Sequence, residues 1–309
     1  MIIPAFDKLI ARNGYAWWYL DAFSSDRRYG LTLIAFIGSV FSPYYAWARA
    51  RGEGDPAAHC AINLALYGPG RRWCMTERGS KSLNRQADAL TIGPSMLSWN
   101  GNQLDIDINE WAVPIPRRVL GRITVCPTIH CKETIALDTN ARHNWSPVFP
   151  QTAVSVSFRN PTLGWSGTGY LDHNAGSEPL EHCFDSWSWS RAATGAGPLV
   201  LYDTQPCHAP PRTMALRFAR DGGIERLNSP GPVSLPRSRW GMDRPTRSEN
   251  GTAQLLASWE DTPFYARSLI NTRLQGESVT AVHESLSLRR FSSRWVRLML
   301  PFRMPRRTN

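Results

Sequence analysis

The sequence has no GxGxxG fingerprint, no phosphate-binding P-loop, no GxSxG elbow and no HExxH. Without them a dinucleotide, nucleotide, serine-hydrolase or zinc-peptidase reading has no anchor. The six cysteines (Cys60, Cys74, Cys126, Cys131, Cys183, Cys207) contain no close CxxC pair. No Cys/His group has ligand spacing either, so no metal site is expected, and His130, His59, His182 and His208 read as surface or locally bonded side chains. The longest strongly apolar run, Leu31 to Val40, is broken by Gly38 and Ser39 and falls well below the ~20 residues of a membrane-spanning helix. The start shows no apolar signal segment with a small-residue cleavage site. These absences predict a cytosolic protein with reduced thiols and no membrane span.

Helical periodicity is also scarce, whereas short strand signals are abundant. In 309 residues with 42% apolar content there is ample material for one large or two medium cores. Within Gly14 to Asp21, the Trp17 to Asp21 strand and a second strand, Leu31 to Phe41, are read as joined by a turn at Asp26 to Gly30. Leu104, Ile106 and Ile108 alternate with Asp105, Asp107 and Asn109, the period-two pattern of a half-buried strand. Further strands are expected at His59 to Tyr67, Arg72 to Glu77, Ser95 to Trp99, Ala153 to Phe158, Thr162 to Asp172, Pro198 to Asp203, Thr213 to Ala219 and Gln254 to Trp259. Repeated short strands between Gly, Pro and Asn/Asp turns predict an all-β chain of antiparallel barrels or sandwiches. The strand count exceeds one small barrel. Two domains are expected, 1–130 and 131–288, followed by a tail, 289–309.

That tail carries seven arginines and no carboxylate, interleaved with Phe291, Trp295, Leu298, Met299, Leu300 and Phe302. Residues 212–309 hold 17 basic against 8 acidic groups, while 1–211 hold 18 against 17, so the +10 of the chain sits almost wholly at one end. Guanidinium groups among tryptophan and aliphatics suit an anionic membrane surface. No nucleic-acid-binding motif accompanies the charge, and no nucleic-acid partner is expected. Pro301 and Pro305 limit any helix there to short pieces.

The densest chemistry lies between His143 and Trp189. Side chains two apart on a strand share a face, so His143 should look the same way as Trp145, and Tyr170 the same way as Asp172. An acid, an imidazole, a phenol and an indole converging in an apolar place can protonate a hydrocarbon.

Several long stretches resemble one family. They are Ala16-Trp17-Trp18-Tyr19, the run from Phe36 through Ser42-Pro43-Tyr44-Tyr45 to Arg49, Met75 to Gly79, Trp165 to Asp172, Glu178 to Glu181, Leu201-Tyr202-Asp203, Glu260 to Leu269, Ala281 to Leu286, and Met299 to Met304. In order and over nearly the whole chain they are similar to the acyclic carotenoid 1,2-hydratases, also called hydroxyneurosporene synthases. The resemblance implies two lipocalin-like antiparallel β-barrel domains and hydration of the terminal C1–C2 double bond of neurosporene or lycopene on the way to spheroidene or spirilloxanthin, with no cofactor. It implies a site of Asp172, His143, Tyr170 and Trp145. Asp172 would protonate C2, and water would capture the tertiary cation at C1. Tyr170 would bond the carboxyl or position water. His143 would take the proton of that water or hold Asp172, and Trp145 would shield the cation with its π face.

Trp17, Trp18, Phe41, Tyr44, Tyr45, Trp187, Trp189 and Tyr265 are candidates to line a slot for the polyene, which offers only apolar area to hold. Such a substrate resides in membrane, so a cytoplasmic protein bound peripherally to the inner or intracytoplasmic membrane is expected. Three other classes fit parts of the pattern: a cyclase or pericyclase on the same fold, a non-catalytic carotenoid or lipid carrier, and a glycoside hydrolase using Asp172, Glu178 and Glu181.

Overall fold

The computed structural model describes residues 4–307, and the chain folds as two compact units. Unit 1 runs to Pro179 and resumes at Leu298; unit 2 is Leu180–Arg297.

Unit 1 contains β1 (Tyr15–Ser24), β2 (Gly30–Ile37), β3 (Cys60–Tyr67), β4 (Arg72–Arg78), β5 (Leu83–Arg85), β6 (Ala89–Ile92), β7 (Ser95–Trp99), β8 (Leu104–Trp111), β9 (Arg118–Ile129), β10 (Ile135–Ala136), β11 (His143–Asn160) and β12 (Leu163–Gly176). The anticipated domain boundary at 130/131 falls inside this unit, between β9 and β10. Alternation sorts the side chains of its central strands. Ala16, Trp18, Leu20 and Ala22 of β1 join Leu31, Leu33, Ala35 and Ile37 of β2, Ile62, Leu64 and Leu66 of β3, and Leu171 of β12 in one apolar core. Leu104, Ile106 and Ile108 enter the same core, with Asp105, Asp107 and Asn109 half-buried on the other side as their period requires. Tyr15, Trp17, Tyr19 and Asp21 look the opposite way, yet they are buried too. The central strands therefore have two covered faces.

Helical periodicity is scarce in the sequence, yet the stretch after β2 forms a helix, α1 (Pro43–Ala50). The Ser42 hydroxyl accepts from the Tyr44 and Tyr45 amides, and Pro43 occupies the first turn. A capping serine followed by proline is a helix start in any composition.

Unit 2 holds β13 (Phe184–Thr194), β14 (Gly197–Pro206), β15 (Arg212–Phe218), β16 (Ile224–Leu227), β17 (Pro232–Leu235), β18 (Arg244–Arg247), β19 (Ala253–Asp261), β20 (Tyr265–Leu274) and β21 (Glu277–Ser287). Ala192, Leu199, Leu201, Ala215, Leu235, Ile270, Leu274, Val279 and Ala281 form its core. The tail after β21 is folded as short helices at Leu288–Phe291 and Arg294–Met299, then β22 (Arg306–Arg307) pairs in parallel with β4 of unit 1.

The chain is mostly β-sheet, but the all-β pair of closed lipocalin-like barrels expected from the sequence is not what forms. Unit 1 is one open sheet in the order β22-β4-β3-β2-β1-β12-β11-β9-β8-β7-β6-β5, with β10 on β11. Unit 2 is an open seven-stranded sheet, β16-β15-β14-β13-β21-β20-β19, beside the separate β17–β18 hairpin. The large sheet curls enough for the Val113 amide to reach Trp73 O at 2.9 Å and for Arg78 to meet Glu110 at 2.6 Å. One backbone bond and one ion pair are not a ladder, and closure needs two edge strands long enough to pair. Here one edge is three residues long and the other is capped by two. Alternation in a sequence reports a buried face; it carries no information on whether the sheet's ends meet.

Candidate active site

The register of β1, β12 and β11 sets four cross-strand rows on the face opposite the unit 1 core. Tyr15 and His143 lie across Gly176, Trp17 and Trp145 across Asn174, Tyr19 opposite Asp172, and Asp21 opposite Tyr170. The four residues expected to act together thus share this one buried face.

Asp172 is the hub of their hydrogen bonds. Its Oδ2 accepts the Trp145 indole N–H at 2.9 Å and the Tyr170 hydroxyl at 3.0 Å, and its Oδ1 accepts the Asn174 amide at 2.8 Å. Trp145 Nε1 also lies 3.2 Å from the Tyr170 oxygen. Burial above all, and then the Asp172 carboxyl to which it is bonded, pushes the Tyr170 phenol well above its ordinary pKa. Tyr170 therefore stays protonated and donates.

His143 sits farther along the row. Its Nδ1 is 2.8 Å from the Tyr15 hydroxyl and its Nε2 is 3.7 Å from Glu178 Oε1. Burial lowers its pKa, so the imidazole is neutral at neutral pH. Gly176 makes the Tyr15–His143 contact possible: a Cβ there would lie 2.5 Å from the Tyr15 ring and 2.8 Å from His143 Nδ1. Gly176, opposite His143, is four residues from Asp172, a span of ~13 Å at the rise of a strand. The indole of Trp145 fills the interval.

Aromatic side chains extend this face. Trp17 stacks on Tyr15 at 4.8 Å and meets Phe36 edge-on at 6.0 Å, and Phe36 meets Phe41 at 6.0 Å. Trp17 and Phe41 are thus brought to the site face. Trp18 is not: it packs on the core side, edge-on to Phe6, with its N–H on Pro4 O at 3.0 Å. His173, beside Asp172 in sequence, also faces the core, 4.9 Å from Trp18, and burial drives its pKa down to about 3. Tyr45 is fixed by a 2.6 Å bond to Gly14 O with the Arg49 guanidinium over its ring, and Tyr44 is half-buried on α1 against Trp47.

The other three candidates belong to unit 2. Trp187 meets Phe184 and Tyr202 edge-on and lines a cleft of about 440 Å³ with Ser188, Asp203, Arg247 and Ser285. Trp189 is buried beside it on β13, and Tyr265 opens β20 with its amide on Thr262 Oγ1 at 2.9 Å. His283 bonds Pro245 O at 2.8 Å, a structural contact.

Sequence reasoning passed over two groups. In unit 2, fully buried Arg267 pairs with Glu284, a costly ion pair to bury without use. In unit 1, Tyr19 donates to Asp21 Oδ2 at 3.1 Å, and Asp21 is wholly buried. A signal for the latter was present. Tyr19-Leu20-Asp21 repeats Tyr170-Leu171-Asp172 letter for letter, and the two tripeptides pair antiparallel, each tyrosine opposite the other's aspartate.

Comparison with known proteins places the chain in a family. The chain is 54% identical over 306 residues to an acyclic carotenoid 1,2-hydratase of Thiocapsa roseopersicina, covering 98% of this chain and 76% of that one. It is 47% identical to the Rubrivivax gelatinosus protein of the same name, with the same shares covered. Among solved structures it is similar in fold to an AttH protein from Nitrosomonas europaea, with a TM-score of 0.64 at 12% identity over 93% of this chain and 96% of that one. The family model described as carotenoid hydratase CrtC matches residues 33–309, and this chain is a member of that carotenoid hydratase family.

Proposed function

We propose that this chain adds water across the terminal C1–C2 double bond of an acyclic carotenoid, with Asp172 as the proton donor. The observation that carries the reading is the buried Asp172 carboxyl gripped by Trp145, Tyr170 and Asn174, in a chain of this family. A trisubstituted alkene is a weak base, so its acid must be neutral in the ground state and must leave a well-stabilised anion. Burial favours the neutral carboxyl, and donors already in place stabilise the carboxylate as it forms, with no reorganisation at that moment.

The proton passes from Asp172 to C2, the tertiary cation forms at C1, water attacks C1, and loss of one proton from that oxygen gives the tertiary alcohol. Net addition is one water. Trp145 and Tyr170 hold the carboxyl, and the Trp17–Phe36–Phe41 row offers apolar contact to the chain of the substrate. His143, ~13 Å from Asp172 along the strands, orients Tyr15 at the end of the row.

Incubation of the purified protein with lycopene or neurosporene in H₂¹⁸O, with no cofactor added, tests this by mass spectrometry. One labelled oxygen at a terminal tertiary carbon is expected, and Asp172→Asn should lower the rate at least a hundredfold. A polyene recovered unchanged from the wild-type protein would sink the reading and favour a carrier.

We further propose that the tail touches the membrane that holds the substrate, through apolar contact more than charge. Trp295, Leu298, Met299 and Phe302 are exposed, whereas Arg289 and Arg297 are paired with Asp185 and Glu181, Arg306 with Glu77, and Arg303 lies over the Trp73 ring. Flotation with liposomes should fall several-fold in Phe302→Ser/Leu298→Ser and should change little between 0.1 and 0.5 M salt, whereas loss of flotation in salt alone would show charge to be the main attraction.

A further inference from the structure

Asp172 has a counterpart that the reaction above does not yet use. Tyr19-Leu20-Asp21 and Tyr170-Leu171-Asp172 form a local two-fold arrangement: Tyr19 lies opposite Asp172, Leu20 opposite Leu171, and Asp21 opposite Tyr170. Each phenol bonds its own carboxyl, at 3.1 Å in the first tripeptide and 3.0 Å in the second, and the two rings meet edge-on at 6.3 Å. The leucines turn to the core and the phenols and carboxyls to the site face. Both carboxyls are buried, Asp21 completely.

We propose that Asp21 is the second catalytic carboxyl of the hydration, the base that takes the proton from the attacking water. The proposal rests on the hydratase reading and adds the group that completes it. Asp21 and Asp172 are diagonal neighbours on one face of paired antiparallel strands, with backbone positions ~7–8 Å apart. Two carboxyls on one face at that spacing can hold a water between them, as in acid–base pairs that activate water at the far side of a scissile bond. The hydration as proposed starts with one proton on the pair, carried by Asp172. In the forward step Asp172 gives its proton to C2 and becomes a carboxylate. Water bonds to C1, and its proton goes to the Asp21 carboxylate. The pair ends with the same single proton on the opposite oxygen, and transfer between the two groups restores the starting state. No co-reactant other than water is needed.

The experiment separates protonation of the alkene from capture of the cation. Wild-type, Asp172→Asn and Asp21→Asn full-length proteins are incubated with lycopene in detergent in D₂O. Hydrated product is quantified, and recovered substrate is examined for deuterium. The wild-type product should carry one deuterium at C2. Asp172→Asn should lose hydration and show no exchange. Asp21→Asn should hydrate about a hundredfold more slowly, yet its recovered lycopene should gain deuterium, because a cation that is not captured reverts by returning a proton from C2 or a methyl group to Asp172. Asp21→Asn hydrating within threefold of wild type would overturn the proposal, as would loss of hydration and exchange together in a protein that melts like wild type. Should Asp21→Asn not fold, Tyr19→Phe removes only the phenol bonded to Asp21 and should raise the ratio of exchange to hydration; an unchanged ratio would count against the role. Failure of the wild-type protein itself to hydrate would instead remove the reading beneath the proposal.

Discussion

Trp17 and Trp18 are adjacent in sequence, equally aromatic and both buried, yet they belong to different parts of the molecule. Trp18 fills the apolar core with its N–H on a backbone carbonyl, while Trp17 stacks on Tyr15 in the row that leads to Asp172. Asp172 and His173 divide the same way one strand over. Burial alone therefore does not mark the site, because both faces of β1, and of β12 from Gly169 to Asn174, are covered. What marks it is partnership. On one face carboxyls are held by phenols, an amide and an indole, and on the other nearly every neighbour is hydrocarbon.

The sharpest way to break this comparison is to truncate each tryptophan in turn. Trp18→Ala removes a fully buried indole from a packed core, and ~3–5 kcal/mol of stability should be lost. Its rate per folded molecule should stay near wild type, since it touches nothing on the site face. Trp17→Phe keeps an aromatic ring and should cost less than ~1.5 kcal/mol, but it alters the stacked row and should raise KM for the polyene. Urea titrations paired with kinetics on both variants check this. Equal stability losses with equal rate losses would mean that the two faces do not divide the labour.

Much of this division could be read before any coordinates. The β1–β2 hairpin follows from turn residues between two aromatic, β-branched runs, and period two placed Tyr170 with Asp172 and His143 with Trp145. Those are local facts, and strand geometry supplies them. Which of Trp17 and Trp18 faces the site is not local, because parity along β1 acquires meaning only once Asp21 is known to lie opposite Tyr170. The same register hid Asp21. Its tripeptide was visible, but its place beside Asp172 depends on two segments some 150 positions apart pairing without a slip. The open edges were equally illegible, since edge pairing leaves no period in the chain. For α1, eight residues are too few to show a helical period, and only the Ser-Pro start, with its capping chemistry, carried the signal.

A smaller effect sharpens the comparison from the core side. His173 is an imidazole on the apolar face, with its Nε2 buried and without a hydrogen-bond partner among the described residues. Burial lowers its pKa from 6.5 to about 3. The unfolded chain binds a proton there as pH falls below 6.5, and the folded chain does not until about 3. Its contribution to stability is therefore complete above 6.5 and lost progressively below it, at ~1.4 kcal/mol per pH unit. Between pH 7 and pH 5 that amounts to ~2 kcal/mol from this one side chain. His283 in unit 2, lowered to about 4 mainly by burial, acts in the same direction, so the wild-type protein alone would not isolate His173. Comparison with His173→Leu does. The leucine fills similar space against Trp18 and cannot take a proton, so its urea midpoint should fall less on acidification, by the equivalent of ~2 kcal/mol at pH 5. Parallel acid losses in the two proteins would mean that His173 finds a way to be charged in the fold, and the face it occupies would have to be wetter than its neighbours make it.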